Sequence, residues 1–181
     1  MADISPASHP RSVQVWDGFV RIFHWSLVVC VMLNLFILED GKSAHEWAGY
    51  TAVALVAARV VWGFVGSQHA RFTDFFPTPE RVRNHLRALR AGTIACHAGH
   101  NPLGALMVLT LMALVLLLGL TGWMQGLDAF WAQEWLMDLH EALADALMLL
   151  AGLHALAAIV MGRLGRTRLV RAMFTGIKDS Y

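Results

Sequence analysis

The chain has 181 residues, of which 57% are hydrophobic and 15% charged, with a formal net charge of +1 and a mean hydropathy of +0.52. This is too apolar for an ordinary soluble domain, and the excess is gathered in runs, as expected of an integral membrane protein. The near-neutral balance gives no reason to infer nucleic-acid binding.

Residues 1–18 are largely polar, contain Pro6 and Pro10, and show no short apolar stretch followed by a small-residue cleavage site, so no removable signal peptide is expected. The first apolar run, about 19–38, carries His24 and Cys30. A tight turn, Glu39 to Glu46, leads into the second, about 47–65, with His45 at its opening and Arg59 fourteen residues later. The connection from Gly66 to Gly99 holds Pro77 and Pro79, then a basic helical pattern from Glu80 to Arg90 whose Leu86 and Leu89 suggest a helix lying at the membrane surface. The third run, about 103–124, follows His97 and His100. Phe130, Trp131 and Trp135 in the next connection suit a headgroup layer. The fourth run, about 139–161, contains His140 and His154. Each run is near the length of about 20 residues that crosses a bilayer core of roughly 30 Å. The expectation is an all-α, four-helix transmembrane bundle forming a single domain over residues 1–181.

Basic residues fall on one side. Arg71, Arg81, Arg83, Arg87 and Arg90 lie between the second and third runs, and Arg163, Arg166, Arg168, Arg171 and Lys178 follow the fourth. The opposite side has Lys42, while the connection between runs three and four has Asp128, Glu134 and Asp138 and no Lys or Arg. The positive-inside rule therefore predicts that both termini are cytoplasmic. Cys30 and Cys96 read as structural thiols, and without a C-x-x-C-H motif no covalently attached c-type haem is expected.

His140 and His154 are fourteen residues apart, a rise of about 21 Å that returns to within roughly 40° of the starting direction. Two imidazoles thus leave one helix face at opposite membrane depths. By the same rise His24 shares the cytoplasmic level with His154, and His45 shares the outer level with His140. Four ionisable residues in two depth-matched pairs point to ligands, because such groups are costly within a membrane. Two axial imidazoles on facing helices suit a haem, whose flat apolar ring fills a bundle interior. Zinc would call for three or four protein ligands. Gly49, Gly63, Gly104, Gly119, Gly122 and Gly152 remove bulk where a porphyrin would press, or equally where helices meet. Arg59, on the His45 face at the cytoplasmic depth, is expected to meet a haem propionate, since no Asp or Glu lies in that half of the bundle. Arg21, one turn before His24, either serves the same haem or snorkels to the surface. His9, His69 and His85 are expected to be exposed.

With these residues the chain resembles the bacterial cytochrome b561 family, and within it the cytochrome b subunits of nickel-iron hydrogenases. The similar stretches are WDGFVRIFHW from Trp16, HEWAGY from His45, RVVWGFVG from Arg59, HNPLGALM from His100, and HEALAD from His140 with GLHA from Gly152. The family pattern of one histidine in each of the first two spans and two in the fourth is matched by His24, His45, His140 and His154. The resemblance implies a diheme b-type cytochrome with two non-covalent, bis-histidine haems, carrying electrons between the membrane quinone pool and a redox partner such as a c-type cytochrome or a hydrogenase in a bacterial inner membrane. His100 and His97 are candidates for quinone binding, proton carriage or propionate contact, and a second copy of the chain stays open as a partner. Two readings compete: a self-contained superoxide or quinol oxidoreductase, and a haem-free, histidine-lined metal or proton transporter.

Overall fold

The computed structural model describes residues 12–91, 102–164 and 169–179. A short strand, β1 (Ser12–Gln14), leads to α1 (Gly18–Phe36) and α2 (Ser43–Val65). A 3₁₀ turn at Gln68–Ala70 and the single-turn helix α3 (Phe72–Phe75) precede α4 (Pro79–Arg90). The long helix α5 (Pro102–Gln125) and a second 3₁₀ turn, Asp128–Phe130, lead to α6 (Glu134–Leu164), then α7 (Leu169–Thr175) and β2 (Ile177–Asp179). Among the described residues four helices, α1, α2, α5 and α6, are long and apolar enough to cross a membrane. The protein is a multi-pass membrane protein with an all-helical bundle.

Two spans begin earlier than their apolar runs. Ser43 opens α2 and Glu134 opens α6, where runs beginning at residues 47 and 139 were expected. The added turn of α2 is polar, whereas that of α6 carries Trp135, Leu136 and Met137 between Glu134 and Asp138; acidic Glu46 and Glu134 in the first turns suit the positive end of the helix dipole. At 31 residues α6 rises about 46 Å, well past a core of roughly 30 Å. Helix α4 starts with Thr78 accepting from the Arg81 amide, Pro79 in the first position and Glu80 in the first turn, and ends on Arg87 and Arg90.

The helices pack in sequence, α1 on α2, α2 on α5 and α5 on α6. The centre of the bundle gathers Phe23 and Cys30 from α1, Ala52 and Val56 from α2, Met112 and Val115 from α5, and Leu147 from α6. Since lipid is as apolar as these side chains, close van der Waals fit rather than exclusion of water holds them together. A Cβ at Gly119 would collide with Val53, and one at Gly63 with Phe72, so helix approach accounts for both glycines. Large apolar residues such as Ile22, Phe64 and Leu149 point outward. Trp131 and Trp135 are exposed beyond the end of α5, as a headgroup belt requires.

At one end of the bundle, β1 pairs antiparallel with β2 in the register Ser12 to Asp179, Val13 to Lys178 and Gln14 to Ile177. The two ends of the described chain therefore meet on one side. Gly176, at φ +80°, makes the turn from α7 into β2, and its carbonyl accepts from the Val15 and Trp16 amides at 2.9 and 3.1 Å. An L-residue is strained at that φ. Val15, Trp16, Val20, Ala70 and Ala172 form a second apolar cluster beneath this ribbon.

Candidate functional site

The sequence places four histidines on three helices, and the fold brings them together as two pairs. His24 on α1 faces His154 on α6 with ring centres 6.5 Å apart and planes inclined by 54°. His45 on α2 faces His140 on α6 at 6.4 Å and 58°. All four are partly buried. An ion with two opposed imidazole ligands, at a metal–nitrogen bond of about 2.0 Å, holds the ring centres roughly 6.3 Å apart. The separation of each pair matches that spacing. Among the described residues no three His, Cys, Asp or Glu side chains converge, so a zinc site of ordinary ligand number is not formed there.

The surroundings of the pairs explain why these rings are not ordinary packing residues. The buried Nδ1 atoms of His24 and His45 have no hydrogen-bond partner, although Asp40, almost fully exposed, lies 3.4 Å from His45 Nδ1. Unsatisfied ring nitrogens at membrane depth are costly unless a ligand or metal uses the ring. His140 differs, for its Nδ1 lies 2.7 Å from the Thr121 hydroxyl. Gly122 sits against the same ring, where a Cβ would approach Cε1 to 3.4 Å, whereas a Cβ at Gly152 would meet nothing within 4 Å. Trp25 stands edge-on to His24 at 5.1 Å.

The arginines take up more protein partners than expected. Arg59 is 2% exposed, donates through Nη2 to the Ala70 carbonyl at 2.9 Å, and lies 5.5 and 5.9 Å from the centres of the Phe72 and Phe75 rings. Its Nη1 is buried without a partner. The expectation that no carboxylate lies in that half of the bundle is corrected by Asp17, just before α1, whose charge is coupled to that of Arg59. Asp17 caps α1 by accepting from the Val20 amide at 2.8 Å and also accepts from Trp62 Nε1 at 2.9 Å and from the Ser67 hydroxyl. Burial alone would raise its carboxyl pKa, but the hydrogen bonds from Ser67, Val20 and Trp62, with the Arg59 charge, outweigh this and hold it below the usual carboxylate range. Arg21 donates to the Phe174 carbonyl at 2.7 Å and so ties α1 to α7. The same groove is closed by Trp25, which stacks on Phe174 at 4.3 Å.

Two further histidines depart from expectation. His85 is buried rather than exposed, because it shares the apolar face of α4 with Val82, and α4 rests on α5. His69 is partly buried and lies 3.2 Å from Asp74. His9, His97, His100 and Cys96 lie outside the described residues. The residues missed from sequence are Asp17, Trp62 and Thr121. The segment Asp17-Gly18 offered a helix-capping signal, and Thr121 and His140 lie at similar distances on either side of the α5–α6 connection, where antiparallel helices bring residues together.

The family model for prokaryotic cytochrome b561 matches residues 15–176. The chain belongs to the prokaryotic cytochrome b561 family. Comparison with curated proteins and with solved structures gave no match. Membership makes the chain a membrane b-type cytochrome of electron transfer that binds haem b, and the matched span begins just after β1, takes in all four spans and ends just before β2. The haem-free transporter reading does not fit a b561 chain.

Proposed function

We propose that this cytochrome b561 holds two haems b, one between His24 and His154 and one between His45 and His140, and passes electrons across a bacterial inner membrane between the quinone pool and a redox partner protein such as a c-type cytochrome or a hydrogenase. The observation that carries the reading is the pair of histidine separations, 6.5 and 6.4 Å, each close to the roughly 6.3 Å of two opposed axial ligands. The two pairs share α6, where His140 and His154 are separated by about 21 Å of helical rise.

When bound, each haem would supply a one-electron iron couple, and the two histidines of each pair would hold it in a way that favours electron transfer over O₂ chemistry. The chain does the rest. Histidines on α1 and α2 oppose those on α6, and the apolar bundle centre around Val56 and Met112 keeps water from the space between the two levels. The free Nη1 of Arg59 is a donor of the right charge for a carboxylate of the cytoplasmic-level haem, with Nη2 already fixed on Ala70. The basic residues around α4 and after α6 support, by the positive-inside rule, a cytoplasmic location for that end of the bundle. His100 and His97 are kept from the sequence as candidates for quinone binding, proton carriage or propionate contact.

Transmembrane electron transfer is tested by sealing the purified holoprotein into lipid vesicles that enclose ferricyanide and adding a membrane-soluble quinol outside. The expected outcome is haem reduction by the quinol and loss of enclosed ferricyanide at a rate far above protein-free vesicles. Ferricyanide loss no faster than the protein-free control would reject the reading, and superoxide consumption by the protein alone would favour a self-contained oxidoreductase.

A further inference from the structure

The two histidine pairs match in spacing but not in what holds their rings. Thr121 on α5 is 5% exposed, and its hydroxyl lies 3.0 Å from the Leu117 carbonyl, 3.2 Å from the Leu118 carbonyl and 2.7 Å from His140 Nδ1. A hydroxyl has one proton to give. With that proton on a helix carbonyl, the oxygen lone pairs are left for the imidazole, and Nδ1 must then be the protonated ring nitrogen. This fixes His140 as the tautomer whose Nε2 carries the lone pair a metal needs. Gly122, the next residue, lies against the same ring, where a Cβ would be in ordinary contact with Cε1 at 3.4 Å. No hydrogen bond reaches Nδ1 of His24, and Nδ1 of His45 has only the exposed Asp40 carboxylate, 3.4 Å away.

We infer that Thr121 is a positioning residue that locks the His140 tautomer and, by accepting from Nδ1–H, strengthens that imidazole as an electron donor to the outer-level iron. This rests on the two-haem reading above. An N–H held by an acceptor makes the ring more basic, and a more basic axial ligand stabilises the oxidised over the reduced iron. The bond therefore lowers the midpoint potential of the haem at His45 and His140 and leaves the haem at His24 and His154 unaffected.

The test is a mediated spectroelectrochemical titration of the purified holoprotein, comparing the native chain with Thr121→Val, Thr121→Ala and Thr121→Ser, with haem content measured on each. The component lost in His45→Ala marks the outer haem. Thr121→Val and Thr121→Ala should each lower the oxidised-to-reduced ratio of that component at fixed ambient potential by roughly twofold to tenfold, the range a hydrogen bond of ordinary strength supplies. Thr121→Ser should keep the native ratio. Loss of the outer haem alone in Val and Ala, with retention in Ser, would support the same assignment through ligand position. An unmoved outer component in the Val and Ala variants, an equal shift or loss of both components, or a Ser variant that behaves like Val would overturn it. Native protein without two haems would instead overturn the reading on which it rests.

Discussion

The end of the bundle closed by the β1–β2 ribbon and the side of the bundle lined by α6 are built on opposite principles. At the ribbon end Asp17, Trp62, Ser67, Arg59, Ala70, Arg21 and Phe174 are joined by hydrogen bonds that cross four segments of the chain. Along α6, by contrast, little of the helix is buried, its main neighbour is α5, and its histidines meet those of α1 and α2 across gaps the width of a metal and its two bonds. Hydrogen bonds within the protein hold the first region, with Arg59 Nη1 and Arg21 Nε left over. On the two-haem proposal the second is completed by cofactors, so substitutions in the two regions should differ in kind: the first should change stability, the second haem content.

The largest effect is expected from the histidines. His24→Ala and His154→Ala should each remove one and the same spectral component, and His45→Ala and His140→Ala the other, as read from reduced-minus-oxidised spectra at equal protein concentration. Loss patterns linking His24 with His140 would break the pairing. The double variant His24→Ala/His154→Ala should lose no more than either single one.

Arg59 belongs to both regions, and its substitution sharpens the contrast. Arg59→Gln removes a positive charge that stabilises the reduced state electrostatically, so the potential of the cytoplasmic-level haem should fall while the outer haem changes little, distance weakening the interaction. The same change disturbs a buried hydrogen bond to Ala70, at a cost on the order of 1–3 kcal/mol in thermal unfolding. A fixed or raised potential with full haem content would make Arg59 a purely structural residue.

The smallest effect belongs to Asp17. Asp17→Asn should keep the helix cap, since an amide oxygen still accepts from the Val20 amide, but it sets an NH₂ donor against the Trp62 and Ser67 donors and should destabilise by about 1 kcal/mol without altering either haem spectrum. Its folded-state pKa lies below the ordinary 3.8, so its contribution is present above that value and is lost as pH falls through the folded value. The difference in melting temperature between native protein and Asp17→Asn should therefore shrink below about pH 4. A difference that persists unchanged in acid would show that the carboxylate charge is not what the corner uses.

The spans and the histidine pairing were legible in the sequence because hydropathy reports membrane depth and helical rise converts residue number into depth. His24, His45, His140 and His154 needed nothing more. Span starts were less legible: the first turn of α2 is polar and leaves no hydropathy signal, and at the start of α6 Glu134 and Asp138 bracket the short apolar stretch Trp135 to Met137. The account of Arg59 by elimination failed because Asp17 lies outside every apolar run and 42 positions away, and only folding brings it beneath Trp62 and Ser67. His85 was misplaced because its position was judged by its polarity rather than by the face of α4 it shares with Val82. Thr121 was hidden by its own chemistry: a threonine bonded to the carbonyl one turn back is unremarkable in any membrane helix, and its second contact depends on how α5 and α6 are aligned.

The central claim is that the α6 side of the bundle holds two haems, each between two histidines. A pyridine haemochrome assay on acid-acetone extracts, with protein measured by amino-acid analysis, counts extractable haem b per chain directly, and electron paramagnetic resonance of the oxidised protein reports its spin state. Two extractable haems per chain, both low-spin, are predicted. One haem, none, a covalently retained haem or a high-spin iron would contradict the account.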